Sequence, residues 1–137
     1  MPATVLDSFA LMAYFRGEPA GVPVKELLQK ASRTDKHLHM SEVNYAEAKY
    51  MILRKDGAEA WAEAAKVLIA LPIEFHPVDR ELADLAADFK SRFSLSLADA
   101  FAAALARKHK AELVTGDPEF KEVEKEIKIV WLKAGQT

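Results

Sequence analysis

Short apolar runs alternate along this chain with longer stretches whose apolar residues recur every three or four positions. A run of a few apolar residues bounded by turn signals reads as a buried strand. Recurrence at i, i+3 and i+4 marks one face of a helix. By these rules Thr4 to Leu6 is a strand, ended by Asp7-Ser8, and Phe9 to Arg16 is a helix. Gly17 to Pro23, with its glycines and prolines, reads as a turn. Val24 to Ser32 is a second helix with Leu27 and Leu28 facing inward, and His37 to Met40 is a short strand. Ser41 is the expected N-cap of a long helix running to about Lys55 and closed by Asp56-Gly57. Ala58 to Ala70 places Trp61, Ala65, Leu68 and Ile69 at helical spacing, and Ile73 to Val78 alternates as a strand. Asp79 opens a helix carrying Leu82, Leu85, Phe89 and Phe93. Ser96 to Lys110 is a helix built mostly of alanine. Glu112 to Thr115 is a strand, Pro118 to Glu126 a short helix, and Ile127 to Leu132 the last strand.

Strands alternating with helices predict the α/β class, with a mostly parallel sheet of about five strands covered on both faces. In such open sheets ligands bind outside the carboxyl ends of the strands. The strand map therefore says where to look for chemistry. No repeat, low-complexity tract or linker interrupts residues 1–137, so a single domain is expected.

Composition changes this picture only at a few points. The chain has 137 residues, half of them apolar and 29% charged, which suits a globular protein with a real core rather than a disordered one. No apolar run approaches the roughly 20 residues that span a bilayer. MPATVLDSF has no basic stretch ahead of a long apolar one, so neither a signal peptide nor a membrane partner is expected. Cysteine is absent, which removes disulfides and zinc–thiolate sites and fits a cytoplasmic protein. The net charge of −2 is not that of a typical duplex binder. A cluster of metal-binding carboxylates would lower the total even with basic residues around it.

Four carboxylates fall where the sheet rule points. Asp7 ends the first strand and Asp117 follows the strand Leu113-Val114-Thr115, ahead of Pro118. Each is read equally well as a helix N-cap or as a site residue. Asp99 stands three residues after Ser96, in an S-x-x-D pattern related to the capping box. Its surroundings are alanine, leucine and phenylalanine up to Arg107, and a helix apolar on all sides is buried. A carboxylate there is costly unless a cation pairs with it. Glu47 shares a helix face with Val43, Ala46, Tyr50 and Met51 and lies beyond the reach of the Ser41 cap. Glu42 is explained by the helix dipole. Clustered carboxylates repel one another unless neutralised, and an oxygen-only donor set selects Mg²⁺ or Mn²⁺.

The stretches that carry these residues resemble the PIN domain, and more narrowly the VapC-type toxin ribonucleases of toxin–antitoxin pairs. They are VLDSFALMAYF, then MSEVNYAEAKYMI with Ser41, Asn44 and Glu47, then LSLADAFAAALARKHKAELVTGDPEF with Asp99 and Thr115-x-Asp117. The resemblance covers nearly the whole chain. It implies a three-layer α/β/α sandwich and a Mg²⁺- or Mn²⁺-dependent endoribonuclease acting on an RNA substrate. It also implies a homodimer and inhibition by a cognate antitoxin protein. On this reading Asp7, Glu47, Asp99 and Asp117 are the catalytic metal ligands. Ser8 and Thr115 orient them, and Asn44 adds a hydrogen bond at the rim or steadies the helix start. The reading from another class is a PIN-like module that binds RNA or protein without cutting.

Other residues contribute less. Arg16, Lys49, Arg54, Arg92, Arg107 and Lys108 are available to border an RNA site, though scattered charges usually form a solvated face. His37 and His39 share a strand face but have no third ligand near them in sequence, so zinc is not expected there. Trp61, Tyr50, Phe89 and Phe93 sit at core spacing. The apolar residues between Val24 and Leu71 are candidates for a dimer or antitoxin surface. Neither G-x-G-x-x-G nor G-x-x-x-x-G-K-[ST] occurs, which excludes dinucleotide and P-loop sites. The first strand lacks the second Asp of a haloacid-dehalogenase-like phosphatase.

Overall fold

The structure, a computed structural model, describes residues 3–133. Strand β1 (Thr4–Leu6) leads into α1 (Ser8–Phe15) and α2 (Gly21–Thr34), followed by β2 (Leu38–Ser41). Helices α3 (Glu42–Lys55) and α4 (Ala58–Ala70) precede β3 (Ile73–His76), and α5 (Arg80–Arg92) and α6 (Leu97–His109) precede β4 (Glu112–Thr115). A 3₁₀ helix (Pro118–Lys125) leads to β5 (Ile129–Trp131).

The five strands form one sheet in the order β3-β2-β1-β4-β5, and every pairing is parallel. Alternation along the strands divides the core into two layers. Val5 and Leu113 pack with Phe89, Leu105 and the alanines of α6. Leu6, Met40 and Val114 face the other way, onto α1, α2, α3 and α4. This is the expected α/β/α sandwich. The chain leaves β1 toward β2 on one side, and α5–α6 later carry it back to β4 on the other. The carboxyl ends of β1 and β4 therefore flank a topological switch point, where such sheets open a crevice.

Several expected boundaries move, each for a local reason. α2 begins at Gly21 rather than Val24, because Pro23 falls in the first turn, where a missing N–H costs nothing. Gly21 is required by contact: a Cβ there would lie 2.3 Å from the Ala13 carbonyl oxygen, so α1 and α2 cross with no room for a side chain. β3 stops at His76, just ahead of Pro77. β2 starts at Leu38, leaving His37 outside the strand and exposed.

The inward stripe of α3 is Asn44, Ala48 and Ile52, not the stripe of Val43, Tyr50 and Met51. Glu47 lies at the margin of the buried face, and Tyr50 and Ile69 are exposed rather than packed. Leu27 is only half-buried. Asp99 to Ala106 in α6 are all buried, which matches the alanine-rich sequence: small side chains let a helix pass between the sheet, α3 and α5.

Candidate active site

Asp7 sits at the mouth of the switch point because β1 ends one residue before it. Its Oδ1 accepts the Ala10 backbone N–H at 2.9 Å, capping α1. Its other oxygen accepts the Thr115 hydroxyl from the end of β4. The cap and the site are therefore compatible readings of one carboxylate, since each oxygen serves one of them. Asp7 is 1% exposed, and burial in the first place pushes its carboxyl from the ordinary 3.8 up to about 7, against the lowering effect of its hydrogen bonds. The negative charges of Asp117 and Glu47 raise it further.

Asp99 does not complete a capping box. Ser96 Oγ accepts the Asp99 backbone N–H at 3.1 Å, as the S-x-x-D pattern predicts. The return bond to the Ser96 N–H, however, comes from Glu119 at 3.2 Å. A carboxylate from the 3₁₀ helix thus takes the role expected of Asp99. The Asp99 side chain is left to face Asp117 and Glu119, and the three carboxylates place oxygens within 4.8 Å of one another. Burial first, then hydrogen bonding to Glu119 and the charge of Asp117, push Asp99 up to about 9.

Asp117 caps the 3₁₀ helix through the Glu119 N–H at 2.9 Å, and its own N–H donates to Thr115 Oγ1 at 3.0 Å. Thr115 thereby fixes both Asp7 and Asp117. Gly116 between them is tightly faced: a Cβ would lie 2.3 Å from the Phe9 ring. Glu47, reaching in from α3, accepts the Ser8 hydroxyl.

Asp7, Ser8, Glu47, Asp99 and Asp117 line one cleft of about 440 Å³. Asn44 does not line it. It is fully buried, and its Nδ2 donates to the Ala98 carbonyl at 3.0 Å, tying α3 to the first turn of α6. Asn44, expected at the rim or as a support of the helix start, instead steadies the first turn of α6, which carries Asp99.

Sequence reading missed Glu119 and Lys55, which also line the cleft. Glu119 had a usable signal, because an acid two residues after a strand-ending Asp is carried to the same place by the turn. Of the six basic candidates only Arg16 reaches the cleft, and it is paired with Asp56 at 3.3 Å. Arg92 and Arg107 hold Glu126, while Lys108 meets Glu81 at 3.0 Å. Lys49 and Arg54 lie over Trp61 and Tyr50.

The cleft fits a hard divalent cation. Its donors are carboxylate and hydroxyl oxygens, with no imidazole or thiol among the lining residues. Burial first, and the neighbouring carboxylates after it, displace Asp7 and Asp99 upward, and a bound cation would offset both effects.

A family model described as the PIN domain matches residues 4–126. No curated protein is significantly similar in sequence. Among solved structures, a chain of DNA-bound VapBC from Salmonella typhimurium is similar with a TM-score of 0.75 at 16% identity, over 97% of this chain and 100% of that one. A chain of VapBC2 from Rickettsia felis, bound to a DNA fragment from their promoter, is similar with a TM-score of 0.74 at 14% identity, over 96% and 99%. Mycobacterium tuberculosis VapC20, a sarcin–ricin loop cleaving toxin, is similar with a TM-score of 0.66 at 17% identity, over 88% and 95%.

Proposed function

Because the chain belongs to the PIN domain family, we propose that it is a divalent-metal-dependent endoribonuclease, the toxin of a toxin–antitoxin pair. The observation that carries this reading is the convergence of Asp7, Glu47, Asp99 and Asp117 on one cleft at the carboxyl ends of β1 and β4. Similarity of fold to VapBC chains and to a sarcin–ricin loop cleaving toxin supports it.

Asp7, Asp99 and Asp117, with Glu47 from the facing helix, would hold one or two Mg²⁺ or Mn²⁺ ions. Such ions lower the pKa of an attacking water and stabilise charge on the scissile phosphate. The chain itself supplies the positioning. Thr115 orients the carboxylates of β1 and β4, Ser8 orients Glu47, and Asn44 sets the first turn of α6. Glu119 adds a further oxygen beside Asp99. Arg16 and Lys55 stand on the cleft wall to receive RNA phosphates. Water adds across a phosphodiester bond, leaving one strand end with a phosphate and the other with a hydroxyl.

Tyr50, Leu53, Val67 and Ile69 on α3 and α4 expose apolar surface, Ile69 at 88%. That surface suits a second copy of the chain or an antitoxin segment. Among the described residues no helix is long and apolar enough to cross a membrane. A toxin that cuts the RNA of its own cell would work in the cytoplasm.

The test is cleavage of RNA by the purified protein with Mg²⁺ or Mn²⁺ and with chelator, alongside Asp7→Asn and Asp99→Asn variants of unchanged circular dichroism. Cleavage that requires the ion and is lost in both variants is expected. Wild-type protein that binds the ion without turnover would support the non-cutting module instead. Co-purification with the product of an adjacent small gene, and loss of cleavage in that complex, tests the toxin assignment.

A further inference from the structure

Three of the four histidines in the chain meet on the α5–α6 face of the sheet, outside the acidic cleft. His39 in β2 stands beside Val5 of β1 and opposite Glu74 of β3, while His76 is opposite Ser41. Side chains two residues apart on a strand share a face, so Glu74 and His76 both stand next to His39. His39 Nδ1 lies 2.8 Å from His76 Nε2, which is 3.6 Å from a Glu74 carboxylate oxygen. His109, in the last turn of α6, stacks on His39 with ring centroids 5.2 Å apart and lies 4.8 Å from the His76 ring. Its Nε2 is buried and has no hydrogen-bond partner among the described residues.

Hydrogen bonding alone serves this arrangement poorly. The Nε2 of His76 is at hydrogen-bond distance from the His39 nitrogen, whereas the Glu74 oxygen is beyond that distance and is left without a bond. A cation accepts a lone pair from all three groups at once. In a tetrahedral site with metal–nitrogen bonds of about 2.0–2.1 Å, neighbouring donors are about 3.3 Å apart. The observed separations of 2.8 and 3.6 Å fall on either side of that value. Two imidazoles and one carboxylate form a donor set for zinc and its first-row neighbours, unlike the all-oxygen cleft.

We propose that His39, Glu74 and His76 form a second, separate metal site that takes one zinc-class cation and pins the edge strand β3 to β2. His109 packs over the imidazoles and holds them in place. The site is distinct from the acidic cleft, because neither its three residues nor His109 lines that cleft. Helix α6 has Asp99 in its first turn and His109 in its last, roughly 15 Å apart at 1.5 Å per residue. The inference does not depend on the nuclease reading.

Calorimetric titration of untagged, chelator-stripped protein with zinc chloride, and separately with magnesium chloride, tests it. The expected result is a zinc site, a zinc-dependent rise in Tm, and an affinity at that site unchanged in Asp99→Asn and in His37→Asn. Glu74→Gln and His76→Gln should each lower zinc affinity by more than the ten- to hundredfold that loss of a ligand's hydrogen-bond partner costs. Glu74 is exposed, so Glu74→Gln keeps the fold and remains informative if His76→Gln does not. Absence of zinc binding by the wild type, wild-type affinity in Glu74→Gln, or loss of zinc in Asp99→Asn would each overturn the proposal.

Discussion

The Thr115 hydroxyl donates to the Asp7 carboxylate, joining the carboxyl ends of β1 and β4 across 108 residues of chain. The same oxygen accepts the Asp117 N–H, so one side chain sets two of the site's acids. Thr115→Val keeps the shape and the β-branch but removes both bonds. RNA cleavage should fall by about ten- to hundredfold, with saturation at a higher Mg²⁺ concentration. A wild-type metal dependence would show that Thr115 is not needed to orient Asp7.

Asp7 and Asp99 give the ion-free protein a characteristic pH dependence. Both carboxyls are raised from 3.8, to about 7 and about 9, so between those limits the folded state holds more protons than the unfolded one. Their contribution to stability is complete near pH 4 and is lost as pH rises through 7 and then 9. In chelator, Tm should fall by several degrees from pH 6 to pH 9, and Mg²⁺ should restore more of it at pH 9 than at pH 6. Asp99→Asn should flatten the curve and abolish cleavage. An ion-free Tm that rises over this range would contradict the assigned shifts.

Asn44→Ala removes a fully buried amide and leaves the Ala98 carbonyl without its side-chain donor. A cost of about 1–3 kcal/mol is expected in urea unfolding. Asp99 follows Ala98 directly, so cleavage should weaken more than stability alone explains. Measurement at a temperature where the variant is fully folded separates the two effects.

Gly21→Ala drives a methyl group into the Ala13 carbonyl at the α1–α2 crossing. Overpacking of this kind costs about 1–3 kcal/mol. Gly21 does not line the cleft, so cleavage per folded molecule should be unchanged. Unaltered denaturation of the variant would mean that the helices separate without cost.

Much of the fold is legible because its signals are local. The strand β4 and the alanine-rich α6 stand out by composition, and Ser41, Asp79 and Ser96 cap the helices they precede. The boundaries that shifted turn on single residues nearby, such as Pro23 in the first turn of α2 and Pro77 after β3. Whether Tyr50 and Ile69 are buried depends instead on which helix lies beside them. Periodicity shows that a helix has an apolar face, but not how far its neighbours cover it.

For the site, the chain order by itself determined that Asp7 and Asp117 end strands and that Asp99 opens a helix too apolar to leave a carboxylate unpaired. It placed Glu47 on the helix after β2. Only the tertiary structure decided that Glu119 takes over the cap at Ser96 and frees Asp99, that Asn44 is a buried tie rather than a rim group, and that Arg92, Arg107 and Lys108 are engaged elsewhere. It also gave His39 the companions from β3 and α6 that its own strand lacks. Caps and strand ends are set by residues within a turn of one another, whereas charge clusters and donor sets form where parallel strands and crossover helices bring distant segments together.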